Sequence, residues 1–274
     1  MAASSFALGT ITDDLRRLGV SGGDTLMLHV SLRAIGPLHG GAEALLDALE
    51  AAVGADGTLL MILGAECDWD WVNQHPEAER EALLADAPPF DAVNAPVFHE
   101  VGYLAEAFRK RLGTLVTDNP SGRFAARGHR AQDLLADAPW NDYYGPGSPL
   151  DRLCQAGGRI LRMGAHLDTT TVLHFAEYRA DLPEKRRVRR HYRCQGKDGL
   201  ETRVVECLDD EHGILDCPGE DYFATILRDY LATGRAKQGL VGHASSELIE
   251  AGDLVEFGTD WMTAKFQDFR SLAP

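Results

Sequence analysis

Thr25-Leu26-Met27-Leu28-His29-Val30 and Thr58-Leu59-Leu60-Met61-Ile62-Leu63 are two short apolar runs, and each is entered through a turn: Ser21-Gly22-Gly23-Asp24 before the first, Asp56-Gly57 before the second. Runs of this length bounded by turn residues read as strands buried in a sheet. Between them, Ala42 to Val53 is built almost entirely from strong helix formers, opened by Gly40-Gly41 and stopped by Gly54. Strand, helix, strand at this spacing is a right-handed crossover, so the two strands are expected to pair in parallel.

A further apolar strand is expected in Gly158-Arg159-Ile160-Leu161-Arg162-Met163-Gly164-Ala165-His166, followed by Asp168-Thr169-Thr170-Thr171-Val172-Leu173-His174-Phe175-Ala176-Glu177-Tyr178-Arg179. An aspartate and three threonines before an apolar run predict a helix that starts there with a side-chain cap. His174 and Glu177 are three residues apart, which places both on one helix face, where the carboxylate can orient the imidazole and stabilise its charge. That is the arrangement of a general base with its orienter. It lies just past a strand end, where open sheets bind ligands. A partly buried histidine with only a local glutamate partner is the competing reading of the same spacing.

Elsewhere, helices are expected over 10–18, 76–86, 101–112, a short segment ending at Ala156, 221–231 and 260–266, and strands over 204–208, 239–243 and 254–257. The irregular stretch 65–96 interleaves Glu66, Asp68 and Asp70 with Trp69 and Trp71, where carboxylates can pair with ammonium groups and indole faces can pack on sugar rings. Residues 117–128, which include Arg123 and Phe124, read as a turn-rich segment able to hold an anionic cofactor through guanidinium and backbone amides. The basic run Arg186, Arg187, Arg189, Arg190, Arg193 is most simply the solvated face of a strand, with cofactor phosphates as the sharper alternative. Asp209-Asp210-Glu211-His212-Gly213 is an acidic cluster held in a turn.

With 274 residues, 45% of them hydrophobic, the chain can bury a substantial core. A formal charge of −15 argues against nucleic-acid and anionic-membrane partners and suits a cationic ligand. The five cysteines, Cys67, Cys154, Cys194, Cys207 and Cys217, include no C-x-x-C pair and fit neither a disulfide framework nor a structural zinc site. Reduced thiols and a cytoplasmic location are expected. Residues 1–20 lack the apolar core of a secretory signal, and no run approaches membrane-spanning length.

The sequence contains no G-x-x-x-x-G-K-[ST], G-x-G-x-x-G, H-E-x-x-H or G-x-S-x-G motif, nor the [QR]-x-x-G-x-[GA] loop of GCN5-type acetyltransferases. It does resemble the aminoglycoside 3-N-acetyltransferase family from about Gly19 to Phe266. The resemblance rests on Leu28-His29-Val30-Ser31-Leu32-Arg33-Ala34-Ile35-Gly36, Gly57-Thr58-Leu59-Leu60-Met61, Pro89-Phe90-Asp91, Gly147-Ser148-Pro149-Leu150 and the helix bearing His174-Phe175-Ala176-Glu177. It extends through 181–188, Gly213-Ile214-Leu215-Asp216-Cys217 and Gly239-Leu240-Val241-Gly242, the later segments being most like members acting on gentamicin-like drugs.

The resemblance implies a single domain over 1–274, a three-layer α/β/α fold with a central mixed, largely parallel sheet, and a small inserted β-hairpin near 190–215. It implies transfer of acetyl from acetyl-CoA, without a metal, to the 3-amino group of the 2-deoxystreptamine ring of a cationic aminoglycoside, and hence drug resistance. His174 would be the base, Glu177 its orienter, and Asp210 or Glu206 the acid completing a relay. His29, Ser31, Leu32, Arg33, Arg123, Phe124 and Thr170 would contact CoA. Glu66, Asp68, Asp70, Asp209 and Glu211 would meet the drug's other ammonium groups. Asn119-Pro120 stands where the family usually has His-Pro, and Arg123 where it has serine. The active unit is expected to be a monomer or homodimer. Alternatives are an acetyltransferase acting on another amine, a metal hydrolase using His174, Glu177 and the acidic turn as ligands, and a non-catalytic polycation binder.

Overall fold

The structure is a computed structural model that describes residues 5–65, 67–217, 219 and 221–271. In chain order its elements are α1 (Leu8–Leu18), β1 (Thr25–Val30), α2 (Leu32–Ile35), α3 (Gly41–Val53), β2 (Thr58–Ile62), a 3-10 turn (Asp70–Gln74), α4 (Glu77–Leu83), α5 (Tyr103–Lys110), β3 (Leu115–Val116) and β4 (Phe124–Gly128). They continue with α6 (Ala131–Leu135), α7 (Pro149–Gln155), β5 (Arg159–Met163), α8 (Leu173–Arg179), β6 (Arg187–Gly196), β7 (Gly199–Leu208), α9 (Tyr222–Ala232), β8 (Lys237–Val241), β9 (Ala244–Glu250) and α10 (Ala251–Ser271).

The central sheet has the order β3-β4-β2-β1-β5-β9-β8. β1 pairs in parallel with β2, as the crossover requires, and with β5 on its other side. β4 and β9 run antiparallel to β2 and β5, and β3 and β8 turn back again. Five of the seven strands therefore point one way, which makes the sheet mixed and largely parallel.

Alternate residues of each strand divide between two cores. Leu26, Leu28, Leu59, Met61 and Leu161 pack under α1, α3 and α5, whereas Met27, Leu60, Phe124, Ile160 and Ile249 face α7, α8, α9 and α10. Period-two alternation in strands covered on both sides produces the α/β/α layering. The hairpin β6–β7 forms its own two-stranded sheet, in register from Arg187↔Leu208 to Gly196↔Gly199, and inserts Tyr192, Cys194, Val205 and Cys207 into the second core. It starts three residues before the expected hairpin and ends at 208, ahead of the acidic turn.

Two expectations are corrected. Within 117–128, residues 124–128 form β4, whose weak strand formers are secured by pairing with β2 on one side and β3 on the other. Gly128 is obligatory there, because its φ is +118° and a Cβ would fall 2.2 Å from the Gly57 carbonyl oxygen. Residues 254–257 are helical: Leu254, Val255, Met262 and Phe266 line one buried face of α10 at helical spacing, and the strand is β9 just before it.

Candidate active site

The loop from Gly164 to Val172 carries the chain from β5 into α8, and it is held from below. Arg162, fully buried on β5, donates to the Thr170 hydroxyl and, 2.9 Å away in each case, to the carbonyls of Ala165 and His166. Its Nε lies 3.4 Å from Glu247 on β9. The threonines do not cap the helix. Thr169 donates to the His166 carbonyl at 2.7 Å and Thr170 to that of Leu167 at 3.3 Å, so hydroxyls expected at a cap are spent on local turns. α8 accordingly begins at Leu173, without a side-chain cap.

His174 stands on the first turn of α8 and donates from Nδ1 to Glu177 Oε2 at 2.7 Å. The other oxygen, Oε1, accepts from the Tyr222 hydroxyl. Glu177 is wholly buried, so both carboxylate oxygens are committed and its orientation is fixed. Tyr144 stacks on the imidazole at 4.8 Å and 9°, and Phe223 meets it edge-on at 4.8 Å. With Nδ1 donating, Nε2 keeps its lone pair. Burial, the largest influence, opposes protonation of His174, but Glu177, Asp210 and Asp221 together outweigh it and raise the pKa above its ordinary value of 6.5.

Two cavities share His174, Asp168 and Phe223 as walls. One, of about 350 Å³, is ringed by Asp168, Asp210, Glu211, Asp216 and Asp221. Of the expected acids, Asp210 and Glu211 line it. Asp210 is partly neutralised, accepting from Tyr143 at 2.5 Å and from Arg190 at 2.7 Å. Asp209 is buried and caps the turn, accepting from the amides of Glu211 and His212. Glu206 pairs with Arg187 and Arg189 on the hairpin and is not among the cavity's walls. Asp70 faces a neighbouring cavity and Asp68 a third, and Glu66 lies outside the described residues. Asp168, Asp216 and Asp221 were not foreseen as site acids. Asp221, where a helix was expected to begin, also caps it, accepting from the Ala224 amide.

The other cavity, of about 610 Å³, runs along the carboxyl end of β1 past His29, Ser31, Leu32 and Arg33. Its walls combine apolar groups, Leu28, Val30, Met61 and Leu104, with the Arg33 guanidinium, which has no acidic partner among the described residues. An extended arm with anionic groups at one end suits that lining. His29 is buried on the α8 side of β1, opposite Arg162 in register. Burial, assisted by the Arg162 charge, depresses its pKa to about 3, so it is a neutral imidazole.

Arg123, Phe124 and Thr170 are placed elsewhere than expected. Arg123 is fully buried and donates to the carbonyls of Gly64, Ala95 and Pro96, which ties the 65–96 stretch to the sheet. Phe124 is a core residue of β4, and Thr170 lies beneath the loop, while Thr169 and Thr171 line the cavity. A buried guanidinium and an exposed anion-binding one look the same in a sequence.

Burial pushes the Cys67 thiol up to about 11 and those of Cys154 and Cys207 up to about 12, so none of the three is an activated nucleophile. Among the described residues no group of three or more His, Cys, Asp or Glu side chains could hold a metal ion, and no helix is long and apolar enough to cross a membrane.

The profile of the aminoglycoside 3-N-acetyltransferase family matches residues 27–263. Aminoglycoside N(3)-acetyltransferase VIII of Streptomyces fradiae is 38% identical over 266 residues, covering 94% of this chain and 92% of that protein. Aminoglycoside N(3)-acetyltransferase III of Serratia marcescens is 37% identical, covering 94% and 97%. Among solved structures, AAC-IIIb in binary complex with CoASH superposes with a TM-score of 0.89 at 35% identity, covering 96% of this chain and 98% of that one. Sisomicin-bound AAC-VIa superposes with a TM-score of 0.88 at 37% identity, covering 96% and 99%.

Proposed function

The chain belongs to the aminoglycoside 3-N-acetyltransferase family, and on that premise we propose that it acetylates the 3-amino group of a 2-deoxystreptamine drug, with His174 as general base. The observation that carries this reading is the meeting of an acid-ringed pocket and an apolar, arginine-rimmed cavity on the two sides of one oriented imidazole. A polycation and an anionic acyl carrier are the two ligands such a pair of cavities suits.

In this reading Asp168, Glu211 and Asp221 hold the drug's ammonium groups, while Asp210 is held by Arg190 at the pocket wall. His174 Nε2 takes the proton from the substrate amine, whose lone pair must be free to attack. Glu177 stabilises the resulting imidazolium, and Tyr222 holds Glu177. Ser31, Leu32 and Arg33 line the path for CoA, with Arg33 at its phosphates and His29 behind as a neutral wall. Bound acetyl-CoA supplies a thioester whose C–S bond breaks as the amide C–N bond forms, and the thiol leaves carrying the proton that His174 removed. Tyr144 and Phe223 enclose the imidazole and keep bulk water from it. A single active domain over 1–274 and a resistance role belong to the same reading.

The test is thiol release from acetyl-CoA with gentamicin, tobramycin, apramycin and a simple amine, with the acetylated nitrogen located by NMR. Drug-dependent release with the acetyl on the 3-amino nitrogen supports the reading. Release with the simple amine alone redirects it to another amine substrate.

A further inference from the structure

The turn that runs from Asn141 to Gly145 touches both the acidic turn and the base. Asp142 has a left-handed backbone, with φ at +50°, one of two such residues other than glycine among those described. Its amide donates to the Glu206 carbonyl at 2.9 Å and its carboxylate accepts from Arg187 at 2.8 Å, while Asn141 Oδ1 accepts from the Glu206 amide at 2.9 Å. Bonds to both strands of the hairpin thus hold a conformation that costs strain. The two rings that follow are divided between separate tasks. Tyr143 is fully buried over Gly122, where a Cβ would fall 2.2 Å from the tyrosine ring. Its hydroxyl donates to Asp210 at 2.5 Å and accepts from Arg190 at 3.1 Å and from the Cys207 thiol at 3.4 Å, so its capacity is filled. Burial first, and then the Asp210 charge, push its pKa well above the ordinary phenol value, which keeps it the donor. Tyr144 meets the Tyr143 ring edge-on at 4.5 Å and lays its own face on the His174 imidazole, 4.8 Å away and 9° from parallel.

We propose that Tyr143 and Tyr144 are positioning residues for the base: Tyr144 holds the plane of the imidazole and supports its cation as the proton is taken, and Tyr143 ties that ring to the acidic turn through Asp210. The inference rests on His174 being the base, as proposed above. A single hydrogen bond from Nδ1 to Glu177 fixes the imidazole at one edge and leaves its plane free to rock. A parallel ring on one side and the Phe223 edge on another remove that freedom. The tyrosine also presents its π face to the imidazolium. That cation forms only as the amine proton is transferred, so the gain falls on kcat and not on substrate binding. Asp210 then has two duties, since it lines the acid pocket and anchors the tyrosine pair behind the base.

Steady-state kinetics of Tyr144→Leu, Tyr144→Phe and Tyr143→Phe across pH, with gentamicin and acetyl-CoA varied in turn, test this. Tyr144→Leu is expected to lose about tenfold in kcat with both KM values kept, and its acid limb moves to lower pH because the imidazolium has lost its support. The charged groups that face His174 stay in place in that variant: Glu177 on α8, Asp210 in the acidic turn, Asp221 ahead of α9 and Asp168 in the loop before α8. Tyr144→Phe keeps the aromatic face and should restore both kcat and the limb. Tyr143→Phe keeps its ring over Gly122 but cuts the tie to Asp210, and should lose roughly fivefold in kcat with the KM for acetyl-CoA unchanged. Equal losses in Tyr144→Leu and Tyr144→Phe, a raised KM in place of a lowered kcat, or an acid limb that stays put in Tyr144→Leu would overturn the role of Tyr144. Wild-type kcat in Tyr143→Phe would overturn the tie. A fully active His174→Ala would instead overturn the base itself, which keeps the two failures apart.

Discussion

Tyr222 donates to the one Glu177 oxygen that His174 leaves free, so a tyrosine on α9 completes a line of three side chains from the core to the cavity. Tyr222 also accepts from the Ile214 amide at 3.3 Å, and through it the line is tied to the segment that follows the acidic turn. Replacing Tyr222 by Phe keeps the ring packing on Phe223 and Phe266 but leaves Glu177 with an unshared negative charge. The pKa of His174 is expected to rise further, and kcat to fall about tenfold. The pH–rate profile of Tyr222→Phe checks both, and an acid limb that does not move counts against the line.

Wild-type kcat/KM should rise with pH through the pKa of His174, because only the neutral imidazole can accept the amine proton. The midpoint is expected above the ordinary 6.5, since the surrounding carboxylates outweigh the effect of burial. Glu177→Gln removes the largest raising influence, so its midpoint should fall, with kcat reduced at every pH. A midpoint that stays put on this substitution would show that another group sets the limb.

Arg162→Lys preserves the charge but loses the fork that holds Thr170 and the carbonyls of Ala165 and His166. The loop it holds lines the cavity along β1 and contributes Asp168 to the acid pocket. KM for both substrates should rise about tenfold, with the pH midpoint unchanged because the His174 pair is untouched. Steady-state kinetics with each substrate varied in turn will show this, and a selective effect on kcat would contradict it.

His29 predicts an acid sensitivity of the fold. Its pKa is near 3 when folded and 6.5 when unfolded, so between those values the unfolded chain binds the extra proton and stability falls as pH falls. Urea unfolding of His29→Gln across this window should lose up to about 1.4 kcal/mol per pH unit of the wild-type slope. Identical slopes in the two proteins would contradict a neutral buried His29.

Which parts were readable from the chain follows from the range of the forces that shape them. β1, α3 and β2 are set by local apolar runs and glycine stops, and the pairing of His174 with Glu177 needs only one helix turn. β4 was missed because its strand character comes from β2 and β3 rather than from Phe124-Ala125-Ala126. The start of α8 was placed too early because the Thr169 and Thr170 hydroxyls go to carbonyls of the preceding turn, and that of Thr170 also accepts from Arg162. Tyr144 and Phe223 reach His174, and Tyr222 reaches Glu177, only through tertiary packing, and no spacing marks them. Arg123 was placed in the wrong environment for the same reason, since its partners are carbonyls of Gly64, Ala95 and Pro96.

The most direct test of the central claim is acetyl transfer to gentamicin by His174→Ala, measured together with calorimetric binding of CoA and of the drug. A loss of about a hundred- to ten-thousandfold in kcat with both affinities retained is the predicted result. Wild-type kcat in the variant would contradict His174 as the base.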